Sequence, residues 1–172
     1  MILNRLFRKG PSPERRLYEA IVAAARHPFP YVEWGVPDSL DGRFDMISLH
    51  LFLVLDRLKG EAPEFRQALV DEFFLDMDRS LREMGVGDLS VGKKVRKMAE
   101  SFYGRVRAYS EATAEGRDKL MAALERNVYP DGATPGAAEK LASYALGARA
   151  SLAEQNSQSL LAGAIEFPEP QP

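Results

Sequence analysis

The sequence predicts an all-α fold: a single irregular bundle of about six helices, with a short basic N-terminal segment and a disordered proline-rich C-terminal tail. Three observations carry this reading. Apolar residues recur at helical spacing along nearly the whole chain. No stretch alternates apolar and polar residues for long enough to make a strand, and no Asn-Gly or Asp-Gly pair joins two β-rich runs. Caps, prolines and glycines then divide the chain at intervals that suit helices. No internal repeat is present. The expected division is 1–11 as a basic amphipathic segment, 12–160 as the helical domain and 161–172 as a flexible tail.

In chain order, Ser12-Pro13 is a helix start, a capping hydroxyl followed by proline at the first helical position. Leu17, Ile21 and Ala24 follow at helical spacing, and "HPFP" ends this helix. An aromatic loop comes next, "FPYVEWGVPD". Asp38 is the expected cap of a second helix running to Gly60, whose middle, "MISLHLFLVL", is apolar on nearly every side and therefore central. A third helix is expected over Pro63 to Met84, with Phe65, Leu69, Phe73 and Met77 spaced by four. A fourth, starting near a Ser90 cap, carries Val95, Met98, Phe102, Val106 and Tyr109 on one stripe. A fifth spans roughly Arg117 to Asn127, and a sixth runs from near Pro135 into the 150s. The ending "EFPEPQP" suits no regular element.

With 172 residues, 45% hydrophobic and 28% charged, the chain reads as one soluble domain with a real core. Its net charge of −2 gives no general affinity for DNA, so an electrostatic partner must be met by a local patch. Cysteine is absent, which excludes disulfides, thiolate metal sites and cysteine nucleophiles and fits a reducing compartment. No apolar run approaches the ~20 residues of a membrane span. The start, "MILNRLFRKG", has charge but too short an apolar stretch for a secretory signal, and too little room for a removed mitochondrial targeting segment. The expectation is a bacterial cytoplasmic protein. Ile2, Leu3, Leu6 and Phe7 against Arg5, Arg8 and Lys9 suit either a short membrane-surface helix or a frayed end.

Several constellations invite chemistry. Gly87, Gly92 and Lys93 match a phosphate-binding loop up to its last position, where Lys94 replaces the magnesium-binding hydroxyl. A helix precedes these glycines where the motif needs a strand, so the favoured reading is a turn between helices. A nucleotide or phosphate site over Gly87–Lys93 stays as an alternative, as does a lipid or quinone carrier using the bundle interior. The acids of "DEFFLDMD" lack the Glu-x-x-His spacing of a di-metal bundle; no metal, cofactor or catalytic residue is expected. His50 in the apolar helix reads as a neutral, hydrogen-bonded core histidine. Two surfaces suit partner binding. Lys93, Arg96, Lys97 and Arg107 share a helical face, fit for an acidic protein surface, RNA or lipid headgroups, or simply for solvent. Phe29, Tyr31 and Trp34 either fold back onto the core or form an exposed recognition patch.

Long motifs give a more specific lead. "GVPD", "DGRFD", "LHLFL", "DMDRSLREMGVGDLSV" and "FYGR" occur in order between Leu17 and Tyr129. Together they resemble the ubiquinol–cytochrome c chaperone family. Asp38, Gly42, Arg43, Asp45, Asp76, Asp78 and Arg82 are the motif residues that carry the resemblance. It implies a non-enzymatic assembly factor for respiratory complex III that binds immature cytochrome b at the cytoplasmic face of the inner membrane. Mitochondrial members act with a small partner protein and associate with the ribosome, so these are further implied partners. The charged client contact is expected at Lys93, Arg96, Lys97 and Arg107, and a weaker apolar contact at Phe29, Tyr31 and Trp34.

Overall fold

Helix α3 (Leu40–Arg57) is buried from Phe44 to Leu55 without interruption, and the other helices are arranged around it. The computed structural model describes residues 10–172; the reading of the N-terminal amphipathic segment lies, for residues 1–9, outside them. Among the described residues the elements are α1 (Pro13–Ala25), α2 (Pro28–Glu33), α3, α4 (Pro63–Glu83), α5 (Asp88–Glu115), α6 (Arg117–Val128), α7 (Ala137–Glu154) and α8 (Ser157–Leu161), with no strand. The six long helices are those the sequence predicts; the two short ones, α2 and α8, are additional.

α1, α5, α6 and α7 all pack on α3, while α4 bridges α1 and α5. An apolar surface on all sides makes this the only stable place for α3, because any exposed face would leave large side chains in water. The bundle interior is lined by these side chains, among them Leu49, Leu51, Phe73, Phe102 and Tyr109, which form one continuous apolar core.

Local signals explain the ends. The Ser12 hydroxyl accepts from the Arg15 amide at 3.2 Å, as expected for α1. The cap of α3 is Ser39, one residue past the expected Asp38; its hydroxyl accepts from the Gly42 amide at 3.1 Å. Gly85, at φ +85°, ends α4, a left-handed conformation that glycine takes without strain. α5 begins at Asp88 rather than near Ser90. This removes a difficulty, since an acid now occupies the first turn and Lys93 lies beyond it, where the helix dipole no longer opposes a cation.

The segment after α8 has no regular structure, as the sequence indicates, but it is packed rather than loose. The Gln155 side chain brackets Glu166 with two backbone hydrogen bonds of 2.6 and 3.0 Å. Arg16 donates to the Ala162 carbonyl at 2.6 Å, and the Phe167 ring meets His50 edge-on at 5.2 Å. The expectation of a disordered tail missed these contacts because they join residues far apart in the chain.

Candidate functional site

A groove of about 500 Å³ opens where the first turns of α3, the end of α4, α5 and the end of α6 come together. Leu40, Phe44, Leu81 and Met98 supply its apolar lining, and Lys94, Lys97, Arg105 and Arg126 its cations. The helical period accounts for this grouping. Lys94, Lys97, Met98 and Arg105 fall to one side of the buried Val91–Phe102–Tyr109 line of α5.

At the groove floor Asp45, 4% exposed, faces Arg105 across 2.7 Å, a charge contact that is off the direction of a hydrogen bond. The Arg105 guanidinium also donates to the Ser101 carbonyl at 3.2 Å and lies over the Phe44 ring at 5.3 Å. Burial pushes the Asp45 carboxyl up to about 7, against the opposing pull of Arg105. Arg105 Nε and the Tyr109 hydroxyl are buried nearby without hydrogen-bond partners, since the Asn127 amide donates instead to the Ala123 carbonyl at 2.9 Å. The groove therefore combines an apolar lining with a net cationic rim, an arrangement complementary to an amphipathic, acidic surface.

A larger groove of about 590 Å³, lined by Trp34, Arg117, Tyr144 and the tail residues Pro168 and Pro172, is bordered by the chain's own ending. It has the weaker claim on a partner, because the tail already lies against its apolar side.

The expected basic residues separate on inspection. Lys93, Arg96 and Lys97 are exposed and make no ion pair with any described residue. Of these only Lys97 reaches the groove, while Lys93 and Arg96 point away from it on the outer face of α5. Arg107 is exposed but engaged with Glu111 at 2.8 Å. Arg105 and Arg126 are not among the basic residues the sequence points to, and Lys94 enters there only beside the phosphate-loop pattern. Arg105 had a signal, a cation inside "FYGR" beside the apolar stripe, matching an acid that opens the apolar run of α3.

The aromatic cluster is not an exposed patch. "FPYVE" folds into α2, and Trp34 is 2% exposed with its ring against Phe29 and Tyr144 at 5.7 Å in both cases. Tyr31 donates to the Ala25 carbonyl at 2.8 Å. Phe29 and Tyr31 are half-buried against the core, so of the two arrangements expected for these three residues the structure has the one folded back, as burial of large rings favours.

The motif residues act mainly as joints. Asp38, just before α3, pairs with Arg43 in the first turn of that helix at 2.8 Å. Asp76 accepts from the Tyr18 hydroxyl at 2.8 Å, and Arg15 meets Glu72 at 2.9 Å, tying α1 to α4. Arg82 holds Asp78 at 2.7 Å and also contacts Asp88, bracing the α4–α5 turn. His50 sits between the Met46 carbonyl at 2.7 Å and the Tyr144 hydroxyl at 2.9 Å. Only Nδ1–H can donate to a carbonyl, so Nε2 accepts from Tyr144, and burial pulls this imidazole down to about 4. The supposed phosphate loop is helical from Asp88 onward, so Gly92 and Lys93 lie inside α5, where backbone amides are engaged by the helix.

Comparison with known proteins gives a family and a shared fold. A family model described as ubiquinol-cytochrome C chaperone matches residues 32–167. The ubiquinol-cytochrome-c reductase complex assembly factor 1 of Xenopus laevis is 27% identical over 116 residues, which is 66% of this chain and 58% of that protein. The chain thus aligns with little more than half the length of this curated relative. The crystal structure of the Cbp3 homolog from Brucella abortus superposes with a TM-score of 0.83 at 45% identity, covering 98% of this chain and 97% of that one.

Proposed function

Since the chain belongs to the ubiquinol-cytochrome C chaperone family, we propose that it is a non-enzymatic assembly factor for respiratory complex III, holding immature cytochrome b at the cytoplasmic face of the inner membrane. The family match over residues 32–167 is the observation that carries this reading. The groove supports it in kind. An unassembled membrane subunit presents apolar surface together with charged loops, and the groove offers apolar lining beside Lys94, Lys97 and Arg126. No helix among the described residues is long and apolar enough to cross a membrane. The two ionisable groups buried in α3 also suit a binding role. His50 is sealed and neutral, and Asp45 is held against Arg105.

Two experiments test this. Cells lacking the chain should show reduced cytochrome b and reduced complex III activity; normal levels of both would remove the proposal. In the purified protein, the triple substitution Lys94→Glu, Lys97→Glu, Arg126→Glu should lower co-purification of cytochrome b at least tenfold, each rim charge contributing on the order of 1 kcal/mol. Its melting temperature should stay unchanged, because all three side chains are exposed. Unchanged capture would move the client away from this groove.

A further inference from the structure

The α4–α5 turn carries an apolar apex that the fold does not use. Leu89, in the first turn of α5, is fully exposed, and Met84, at the end of α4, is 55% exposed. The two lie five residues apart across the turn, so the apolar surface they leave uncovered falls at the same end of the bundle as the cations that follow. Leu89, Lys93 and Arg96 succeed one another at spacings of four and three, which places them on one line along the outer face of α5. From Gly85 to Met98 the chain has four cations, Lys93, Lys94, Arg96 and Lys97, while Asp88 is its one acid. Asp88 is already engaged by Arg82, whereas none of the four cations pairs with a described carboxylate. The whole chain is acidic by two charges, so this end is cationic against the average.

We propose that this turn docks onto an anionic lipid surface. Leu89 and Met84 enter the boundary between headgroups and acyl chains, and Lys93 and Arg96 lie at headgroup level. The combination favours lipid over the other occupants of a basic face. RNA would engage the cations and leave Leu89 and Met84 in water. A folded protein would need a pocket matched to one isolated leucine, with carboxylates matched to flexible side chains. A lipid surface covers a projecting apolar apex without shape matching, and its mobile negative charges follow Lys93 and Arg96 wherever they reach. The groove lies on another side of α5, so one helix presents the membrane on its outer line and the client on its inner one. This inference rests on the surface of the protein alone and does not require the client to be cytochrome b.

Flotation of the full chain with vesicles tests it. The protein should float with phosphatidylcholine vesicles containing phosphatidylglycerol, stay behind with pure phosphatidylcholine vesicles, and release as salt is raised. Lys93→Gln with Arg96→Gln should lower partitioning about 30-fold, at roughly fivefold per cation. Leu89→Ser with Met84→Ser should lower it about tenfold or more. The groove variant Arg126→Glu should float like the parent, which separates this surface from the client site. Should either double variant prove to melt early, the single substitutions Arg96→Gln and Leu89→Ser supply the same comparison. The proposal is overturned if the protein ignores the anionic vesicles, if the variants float like the parent, or if it retains an RNA oligomer while remaining apart from the vesicles.

Discussion

The first turn of α3 passes so near the preceding loop that a Cβ on Gly42 would stand 1.9 Å from the Pro37 carbonyl oxygen and 2.9 Å from its carbon. Both are backbone atoms and cannot swing aside. Gly42→Ala should therefore destabilise the protein by about 3 kcal/mol or more, read from urea denaturation midpoints. Gly92 is the opposite case. It lies inside α5 with open space where a Cβ would go, so Gly92→Ala should raise stability by roughly 0.5–1 kcal/mol through helix propensity. In the sequence the two glycines invite the reverse ranking: Gly92 appears in a phosphate-loop pattern and Gly42 merely follows a helix start. The close approach to Pro37 is a tertiary fact, and no local pattern announces it. Asp45 was equally hidden. It reads as an acid suited to a helix beginning, yet it is a buried partner of Arg105, supplied by a helix 60 residues further along.

At the level of elements, periodicity identified every long helix, because each buries one stripe or, in α3, its whole surface. Short and proline-rich pieces escaped. α2 contains two prolines and holds because its rings reach the core, and the tail holds because Phe167 covers His50 while Gln155 clasps Glu166. Phe167→Ala should lower stability by about 1–2 kcal/mol in thermal or urea unfolding, the worth of a half-buried aromatic side chain. A loose tail would show no change. The far end of α3 is anchored in a similar non-local way. Arg57 donates to the Leu152 carbonyl at 2.9 Å and to the Gln155 carbonyl at 2.8 Å, closing the open end of α7.

Taken as a whole, the molecule buries two ionisable groups in α3 that act on stability in opposite directions. Asp45, raised from 3.8 to about 7, keeps a proton in the folded state that the unfolded chain has lost, so its contribution falls as pH climbs from about 4 to 7. His50, lowered from 6.5 to about 4, refuses a proton that the unfolded chain accepts, so its contribution is lost as pH drops from 6.5 to about 4. Between pH 4 and 6.5 the two slopes offset. Asp45→Asn should expose the histidine slope alone, with stability rising by up to about 1.4 kcal/mol per pH unit across that window, against a nearly level parent in urea denaturation. Much of the groove is likewise beyond a one-dimensional reading: Lys97 follows from a helical wheel, but Leu40, Leu81 and Arg126 join it only because three other elements converge there. The single tryptophan, sealed at 2% exposure beside Tyr144 and Phe29, has a practical consequence. Intrinsic fluorescence will shift to the red when the chain unfolds, and it will stay silent while a binding partner fills a cleft that Trp34 does not line.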